Sequence, residues 1–255
     1  YLAAAHVVGI TALVECSTVG VGRNLAVLRH LAEVTSIHLV APTGVYREAF
    51  TPPSLRELSA QALAEMWVGE LTEGIEDTEI RAGFIKIAMS DDGPTPLEVR
   101  NLKAAALASQ QTGAAIVSHT PSGAVARREM EILGAAGLDL GRFIWAHANL
   151  EPDPAVHLEA ARRGAYVEFD AVGAERQLQS ALVDYTLALI EAGCAENILL
   201  SHDAGWYDPS HPFDWAQGRP DGQPEGGIRG YTALVEEFIP VLRARGISDD
   251  LLHLI

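Results

Sequence analysis

Four polar side chains stand where an apolar run of the sequence ends. They are Lys86 in Gly-Phe-Ile-Lys-Ile-Ala, His119 in Ile-Val-Ser-His-Thr, His147 in Phe-Ile-Trp-Ala-His-Ala and Asp203 in Leu-Leu-Ser-His-Asp-Ala. Taken singly, such a His is often a hydrogen-bonded core residue, and such an Asp often caps a helix. If the runs are parallel strands of one barrel, however, their carboxyl ends share a face and the four groups meet in one pocket. Because desolvating four ionisable groups is costly, the pattern predicts catalysis or metal binding.

Lys86 is the most informative of the four residues. A lysine that points inward from a strand is costly unless its charge is neutralised or its amine is modified. Addition of CO₂ to the neutral amine would give a carbamate, whose two oxygens can bridge two divalent ions. Imidazole and carboxylate ligands suit zinc, manganese, iron or cobalt, so the ligand types do not identify the metal.

The surrounding sequence alternates short β-branched runs with longer amphipathic segments, which is typical of parallel strands joined by crossover helices. We predict strands at 10–18, 38–43, 83–89, 114–119, 143–147, 166–171 and 197–203. We predict helices at 23–34, 54–73, 96–112, 122–136, 154–163 and 177–192. Thr95-Pro96 and Asp153-Pro154 are typical helix starts.

This order of elements fits either an open doubly wound sheet or a barrel. The regular spacing of the strand ends favours a barrel, and no G-x-G-x-x-G motif follows an early strand. We therefore predict an α/β fold of the (β/α)8 TIM-barrel class, with residues 1–255 as a single domain. The chain supplies seven of the eight βα units, and we expect the first strand to precede Tyr1.

Two further features suggest substrate contacts. The segment 204–227 is a long loop after the last predicted strand, and Trp206 and Tyr207 near its start are candidate substrate-binding residues. Tyr46 follows an earlier strand and could either contact the substrate or simply pack. His202 adjoins Asp203 but should point to the opposite side of its strand, in a supporting or structural role.

Composition limits the class of partner. The chain has 18 Lys and Arg against 34 Asp and Glu, a net charge of −16, which disfavours nucleic acid and anionic membranes and favours a small-molecule substrate. Cys16 and Cys194 are expected to be buried thiols rather than a disulfide. With no apolar stretch of membrane-spanning length and no leader, the simplest prediction is a cytoplasmic protein.

Several motifs, in this order and spacing, resemble the phosphotriesterase family of the amidohydrolase superfamily, which includes the phosphotriesterase-like lactonases. They are Val14-Glu15-Cys16-Ser17-Thr18-Val19-Gly20-Val21-Gly22-Arg23-Asn24, Thr43-Gly44-Val45-Tyr46, Gly83-Phe84-Ile85-Lys86, Ser118-His119-Thr120, Ala146-His147 and Ser201-His202-Asp203. The resemblance, which extends from Tyr1 to Ile255, implies a binuclear site, with zinc as the first expectation. N6-carboxylated Lys86 would bridge the two ions.

In that site His119 and His147 would hold the more exposed ion and Asp203 the other. Lys86 and Asp203 would be the catalytic residues, and a metal-bound hydroxide would attack a lactone, a carboxylic ester or a phosphotriester. The sequence departs from the family pattern in two ways. It lacks the His-x-His pair that the family carries on its first strand, so either that strand precedes Tyr1 or the protein holds at most one metal. It also has no Arg soon after the strand at 166–171, which weakens a lactonase assignment. The alternatives are an inactive scaffold and a mononuclear amidohydrolase that acts on an amide. A homodimer is a further possibility that the sequence leaves open.

Overall fold

The computed structural model describes residues 1–173, 176–204 and 230–255, without the side chain of Arg176. Its strands are β1 Ala12–Val14, β2 His38–Val40, β3 Pro42–Gly44, β4 Phe84–Ala88, β5 Ile116–His119, β6 Phe143–Ala146, β7 Tyr166–Phe169 and β8 Ile198–Leu200. Its α-helices are α1 Leu2–Val7, α2 Leu25–Thr35, α3 Pro53–Arg56, α4 Ala60–Thr72, α5 Pro96–Thr112, α6 Gly123–Ala135, α7 Pro154–Arg162, α8 Arg176–Glu191, α9 Ile239–Ala244 and α10 Asp249–Leu252. Short 3-10 turns and a π-helical turn, Leu234–Phe238, complete the described elements.

The strands are parallel and follow one another in chain order. β3 to β8 form one sheet, and β1 pairs with β2. Ala41 alone separates β2 from β3, and a parallel bridge between Val19 and Val45 continues the β1 side. This arrangement, with helices between all other successive strands, confirms the predicted TIM-barrel class. Within the described ranges, no strand pairing joins β1 to β8.

The helices begin where the sequence supplies a cap. The Thr95 side chain accepts from the backbone N–H of Glu98, whose carboxylate in turn accepts from Thr95, and Pro96 occupies the first helical position of α5. The Asp153 carboxylate caps α7 by accepting from the backbone N–H of Ala155, and Pro154 occupies the first helical position. At the other end of α5, Gly113 adopts a left-handed conformation with φ of 81°.

Alternation along the strands divides their side chains between two layers. Ile85 and Ile87 of β4 join the core between sheet and helices. Phe84 instead packs with Val117 and Ala146, which are the inward residues of the neighbouring strands. Lys86 is two residues beyond Phe84 and His119 is two beyond Val117, so both belong to the inward face.

Several predicted boundaries are wrong in detail. The helix predicted at 54–73 is interrupted at 57–59, which gives α3 and α4 because Ser59 caps a new helix start. The strands are shorter than predicted, since their last residues leave the hydrogen-bonded ladder to form the site loops. Both cysteines are free thiols and Cys194 is buried as predicted, but Cys16 is exposed because it follows β1 in an irregular segment. No helix in the described part of the chain is both long and apolar enough to span a bilayer.

Candidate metal centre

Lys86 lies in the middle of β4 and only 4% of its surface is exposed. No carboxylate among the described residues forms an ion pair with it. The chain contains just two lysines, and the other, Lys103, is exposed on α5. Gly44 stands opposite Lys86 in the ladder with φ of 108°, and a Cβ there would lie 2.0 Å from the Lys86 carbonyl oxygen. The close approach of β3 to β4 therefore depends on glycine at this position.

His147 is held by Asp170, which follows β7. The backbone N–H of His147 donates to Asp170 Oδ2 at 2.6 Å, and Nδ1 lies 2.9 Å from the same oxygen. Burial disfavours the imidazolium, but the hydrogen bond and charge of Asp170 outweigh it and raise the pKa of His147. Since Nδ1 is engaged, Nε2 is the nitrogen that remains to bind a metal.

His119, at the end of β5, contacts two residues of the loop after β3. Its Nδ1 lies 2.9 Å from the Tyr46 hydroxyl, and Nε2 contacts Nη2 of Arg47. A guanidinium can only donate, so Nε2 is the acceptor and Nδ1 carries the proton. Burial, aided by neighbouring cationic groups, lowers the pKa of His119 to about 2, which keeps the imidazole neutral. The His119 and His147 ring centroids are 4.3 Å apart.

Asp203 follows β8 at the mouth of the barrel and is accessible to solvent. Protein surrounds much of its carboxyl group even so, and this burial, followed by the charge of Asp170, raises the pKa of Asp203 to about 6. The charge of Lys86 acts in the opposite direction, which places the lysine ammonium within electrostatic reach of Asp203. Both Asp203 (φ 43°) and His147 (φ 65°) adopt the left-handed backbone conformation that non-glycine residues rarely adopt.

The structure thus gathers Lys86, His119, His147 and Asp203 around one end of the parallel strands, with Tyr46 beside His119. It does not bring them into coordinating geometry: no three His, Cys, Asp or Glu side chains of the described ranges converge at metal-ligand distances. One reason that His119 is not in coordinating geometry is that both of its ring nitrogens are engaged in hydrogen bonds. Trp206, Tyr207 and most of the 204–227 loop lie outside the described residues. His202 faces away, as expected, and its Nε2 accepts from the Leu234 N–H at 3.2 Å.

Sequence reasoning missed three residues of this site. Asp170 is 4% exposed, and Glu168, two residues earlier, accepts a hydrogen bond of 2.8 Å from the Ser201 hydroxyl. Burial and the charge of Asp170 raise the pKa of Glu168. The signal was available, because two acidic residues at alternate positions of an apolar strand face the same side. Arg47 gave no comparable signal, since it lies in a loop.

Two buried carboxylates fix the strand ends from the helical layer. Glu129 of α6 accepts hydrogen bonds of 2.5 Å from both Ser118 and Thr120, the residues on either side of His119. Burial raises the pKa of Glu129 to about 8, although those two hydrogen bonds act against the shift. Because Ser118 and Thr120 are held on the outer side of β5, the intervening His119 is directed inward.

Glu98 of α5 has a similar position behind β4. Its carboxylate accepts from the backbone N–H of Glu48 at 3.1 Å and from that of Ser90 at 3.0 Å, besides closing the helix cap. Glu98 is wholly buried. It therefore ties together the loop after β3, which carries Arg47, and the loop after β4.

The residues present fit divalent metal ions. His119 is a neutral imidazole, and Asp170 orients His147 as carboxylates commonly orient metal-bound histidines. Lys86 is buried and forms no ion pair with any carboxylate in the part of the chain that the structure describes, a costly state that modification to a carbamate would relieve. A carbamate next to Glu168, Asp170 and Asp203 would make the pocket strongly negative, which bound cations would neutralise.

Comparison with known proteins gives matches along the whole chain. The model of the phosphotriesterase family matches residues 2–255. The phosphotriesterase homology protein of Escherichia coli is 33% identical over 94% of this chain and 78% of that protein. The aryldialkylphosphatase of Saccharolobus solfataricus is 27% identical over 96% of this chain and 77% of its own length. The N-acetyltaurine hydrolase of Homo sapiens is 27% identical over 94% of this chain and 68% of its own length.

Solved structures agree with these sequence matches. The crystal structure of the Escherichia coli protein, complexed with phosphate in its active site, has a TM-score of 0.86 at 31% identity and covers 100% of this chain and 84% of that chain. A mutant of a phosphotriesterase-like lactonase from Deinococcus radiodurans has a TM-score of 0.84 at 31% identity and covers 99% of this chain and 81% of that chain. The similarity therefore includes the strands that carry the candidate site.

Proposed function

The chain belongs to the phosphotriesterase family, a family of hydrolytic enzymes known for a binuclear divalent metal centre, and we propose that it cleaves an ester-type bond in a small molecule. The bond would be that of a lactone, a carboxylic ester or a phosphotriester. Relatives named as a phosphatase and a lactonase support this choice. They also favour a hydrolase over the scaffold alternative.

One observation carries the proposal: the centroids of the His119 and His147 rings are 4.3 Å apart, within electrostatic reach of a buried lysine that forms no ion pair among the described residues. Two imidazoles and a buried amine at the carboxyl ends of parallel strands are suited to a catalytic pocket. We assign Lys86, His119, His147 and Asp203 as the residues that would hold two divalent ions, with Lys86 in its N6-carboxylated form. Zinc is the first expectation, with manganese, iron or cobalt as alternatives.

When bound, such ions would polarise the carbonyl or phosphoryl oxygen of the substrate and make a water molecule nucleophilic near neutral pH. The chain's own residues orient the ligands and accept a proton. Asp170 fixes the orientation of the His147 ring. Tyr46 and Arg47 lie at the site and contact the two ring nitrogens of His119. The Asp203 carboxylate lies at the mouth, where it could take up a proton from the attacking water and pass it to solvent.

The proposed partner is a small molecule rather than nucleic acid, since the protein carries a net charge of −16. Cytoplasmic location and a homodimer remain predictions. Light scattering of the purified protein would decide its oligomeric state.

The proposal is tested by hydrolysis assays on a phenyl acetate, a γ-lactone and a diethyl aryl phosphate, before and after treatment with a chelator. We expect turnover of at least one substrate, its loss with the metal, and its recovery when zinc, manganese or cobalt is restored. Turnover that persists in the metal-free protein would refute the metal-dependent mechanism. Inactivity of the metal-loaded protein on all three would refute the choice of an ester-type bond.

An amide is the second candidate substrate, because one relative is named N-acetyltaurine hydrolase and matches 94% of this chain. The same polarising chemistry acts on an amide carbonyl. Release of the free amine from N-acetyl amino acids, compared with the ester panel under the same metal, would distinguish the two bond types.

A further inference from the structure

Arg47 extends from a well-held loop at the mouth of the barrel. It immediately precedes the 3-10 turn Glu48–Phe50, and its carbonyl accepts from the Phe50 N–H at 2.9 Å. The next residue, Glu48, is tied to the buried carboxylate of Glu98. The backbone at Arg47 is therefore fixed, and its guanidinium is directed towards the site from a rigid base.

The charge of this guanidinium is only partly compensated. Nη2 contacts Nε2 of His119 and lies 2.6 Å from Asp91 Oδ1, but Asp91 is 63% exposed, so water weakens this ion pair. Nε of Arg47 is buried and finds no hydrogen-bond acceptor among the described residues. The guanidinium also lies 6.0 Å from the centre of the Tyr46 ring. A buried donor without an acceptor is a costly feature that a ligand can relieve.

Because Nη2 of Arg47 contacts His119, the availability of this second donor depends on whether a metal is bound to His119. His119 offers Nε2 as its unprotonated nitrogen, so a metal would bind there without any change of tautomer. A nitrogen that gives its lone pair to a metal cannot also accept from Arg47. Metal binding would then release the Nη2 donor next to the Nε donor that already lacks an acceptor, on one edge of a planar group.

We propose that Arg47 recognises an anionic group of the substrate, so that the preferred substrate is a hydrolysable acyl compound that also carries a carboxylate or sulfonate. Two parallel N–H donors on one edge of a guanidinium match the two oxygens of such a group. The inference rests on the proposed hydrolase function and specifies the class of its substrate. Arg47 is a specificity-determining residue in this account.

A matched pair of substrates tests the proposal: the p-nitrophenyl monoester of glutaric acid, which is anionic, and p-nitrophenyl valerate, which has the same acyl length and no charge. Their kcat/KM values are compared for the metal-loaded wild type, Arg47→Gln and Asp91→Asn. We expect the anionic-to-neutral ratio to fall about tenfold or more in Arg47→Gln, since a charge-assisted hydrogen bond is lost. In Asp91→Asn the ratio should stay or rise, because a competing carboxylate is removed.

An unchanged ratio in Arg47→Gln would overturn the inference while leaving the hydrolase proposal intact. An equal fall in Asp91→Asn would also overturn it, because Arg47 would then act only through its ion pair. Calorimetric binding of glutarate to the same metal-loaded proteins gives a readout that does not depend on turnover. Weaker binding by Arg47→Gln would support the inference even if neither ester is cleaved, and equal binding would contradict it.

Discussion

A single oxygen of Asp170 receives both the backbone N–H of His147, at 2.6 Å, and its ring Nδ1, at 2.9 Å. Asp170 thereby fixes the orientation of the imidazole on a residue whose own backbone is left-handed. Asp170 is itself anchored, since its N–H donates to the Asn149 side chain at 2.9 Å. The arrangement leaves Nε2 of His147 directed at the space beside His119.

Asp170→Ala should therefore weaken metal binding by about 10–100-fold, the usual effect of removing the carboxylate behind a ligand histidine. Competition with a fluorescent zinc chelator measures the change. Asp184→Ala is the matched control, since this aspartate is exposed and its ion-pair partner in the described part of the chain, Arg245, is 3.9 Å away. Equal affinity in Asp170→Ala and the control would show that Asp170 does not position His147 as a ligand.

Alanine substitutions at Gly44 and Gly22 can be compared to measure how much the close approach of β3 to β4 contributes to stability. Both have a positive φ, 108° and 104°, so alanine at either should cost roughly 1–2 kcal/mol from backbone strain. At Gly44 the added Cβ also meets the Lys86 carbonyl oxygen, whereas Gly22 has nothing within 4 Å. We expect Gly44→Ala to lower the free energy of unfolding by about 1–3 kcal/mol more than Gly22→Ala.

Urea unfolding of both variants measures the difference. Because β4 carries Lys86, Gly44→Ala should also reduce metal content, and Gly22→Ala should not. Similar stabilities of the two variants would mean that the tight β3–β4 contact has little importance.

Much of this arrangement was predictable from the sequence, and the reasons are physical. Lys86, His119 and His147 were singled out because each polar residue interrupts or ends an apolar run, although Lys86 lies within β4 and not at its end. Helix α5 was bounded correctly because Thr95-Pro96 and Gly113 are strong local signals. The division of the 54–73 helix was not predicted. Its interruption depends on the local cap at Ser59, which competes with continuation of the helix.

The partners of the site residues were harder to predict. The pairing of His147 with Asp170 joins the ends of β6 and β7, and Tyr46 reaches His119 from 73 positions away in the chain. No local pattern encodes such contacts, because they follow from strand order and side-chain reach. Arg47 has no periodic signal at all, and only the folded chain places it against His119.

The pH dependence of the free energy of unfolding should reveal the raised pKa of Glu129. Its pKa rises from the ordinary value of 4.5 to about 8 on folding, because burial disfavours the carboxylate. The folded protein thus keeps a proton that the unfolded chain releases, so this contribution to stability is fully present below about pH 4.5. It is lost progressively as the pH rises towards 8.

Glu129→Gln, which is neutral at every pH, should remove this component. Urea unfolding at intervals from pH 5 to pH 8 would measure the stability difference between wild type and variant. The wild type should lose stability relative to Glu129→Gln as the pH increases. A difference that stays constant across this range would show that Glu129 is ionised in the folded protein.

The central claim is that Lys86 holds divalent metal in a catalytic site, and metal content is the most direct test. Metal analysis of wild type, Lys86→Ala and Lys103→Ala would compare the buried lysine with the exposed one, with circular dichroism to confirm that each variant folds. Lys86→Ala should fold, because it removes a buried amine that has no ion-pair partner among the described residues. We predict two divalent ions per chain in wild type and Lys103→Ala, and loss of both metal and hydrolysis in Lys86→Ala. Full metal content in folded Lys86→Ala would contradict the account.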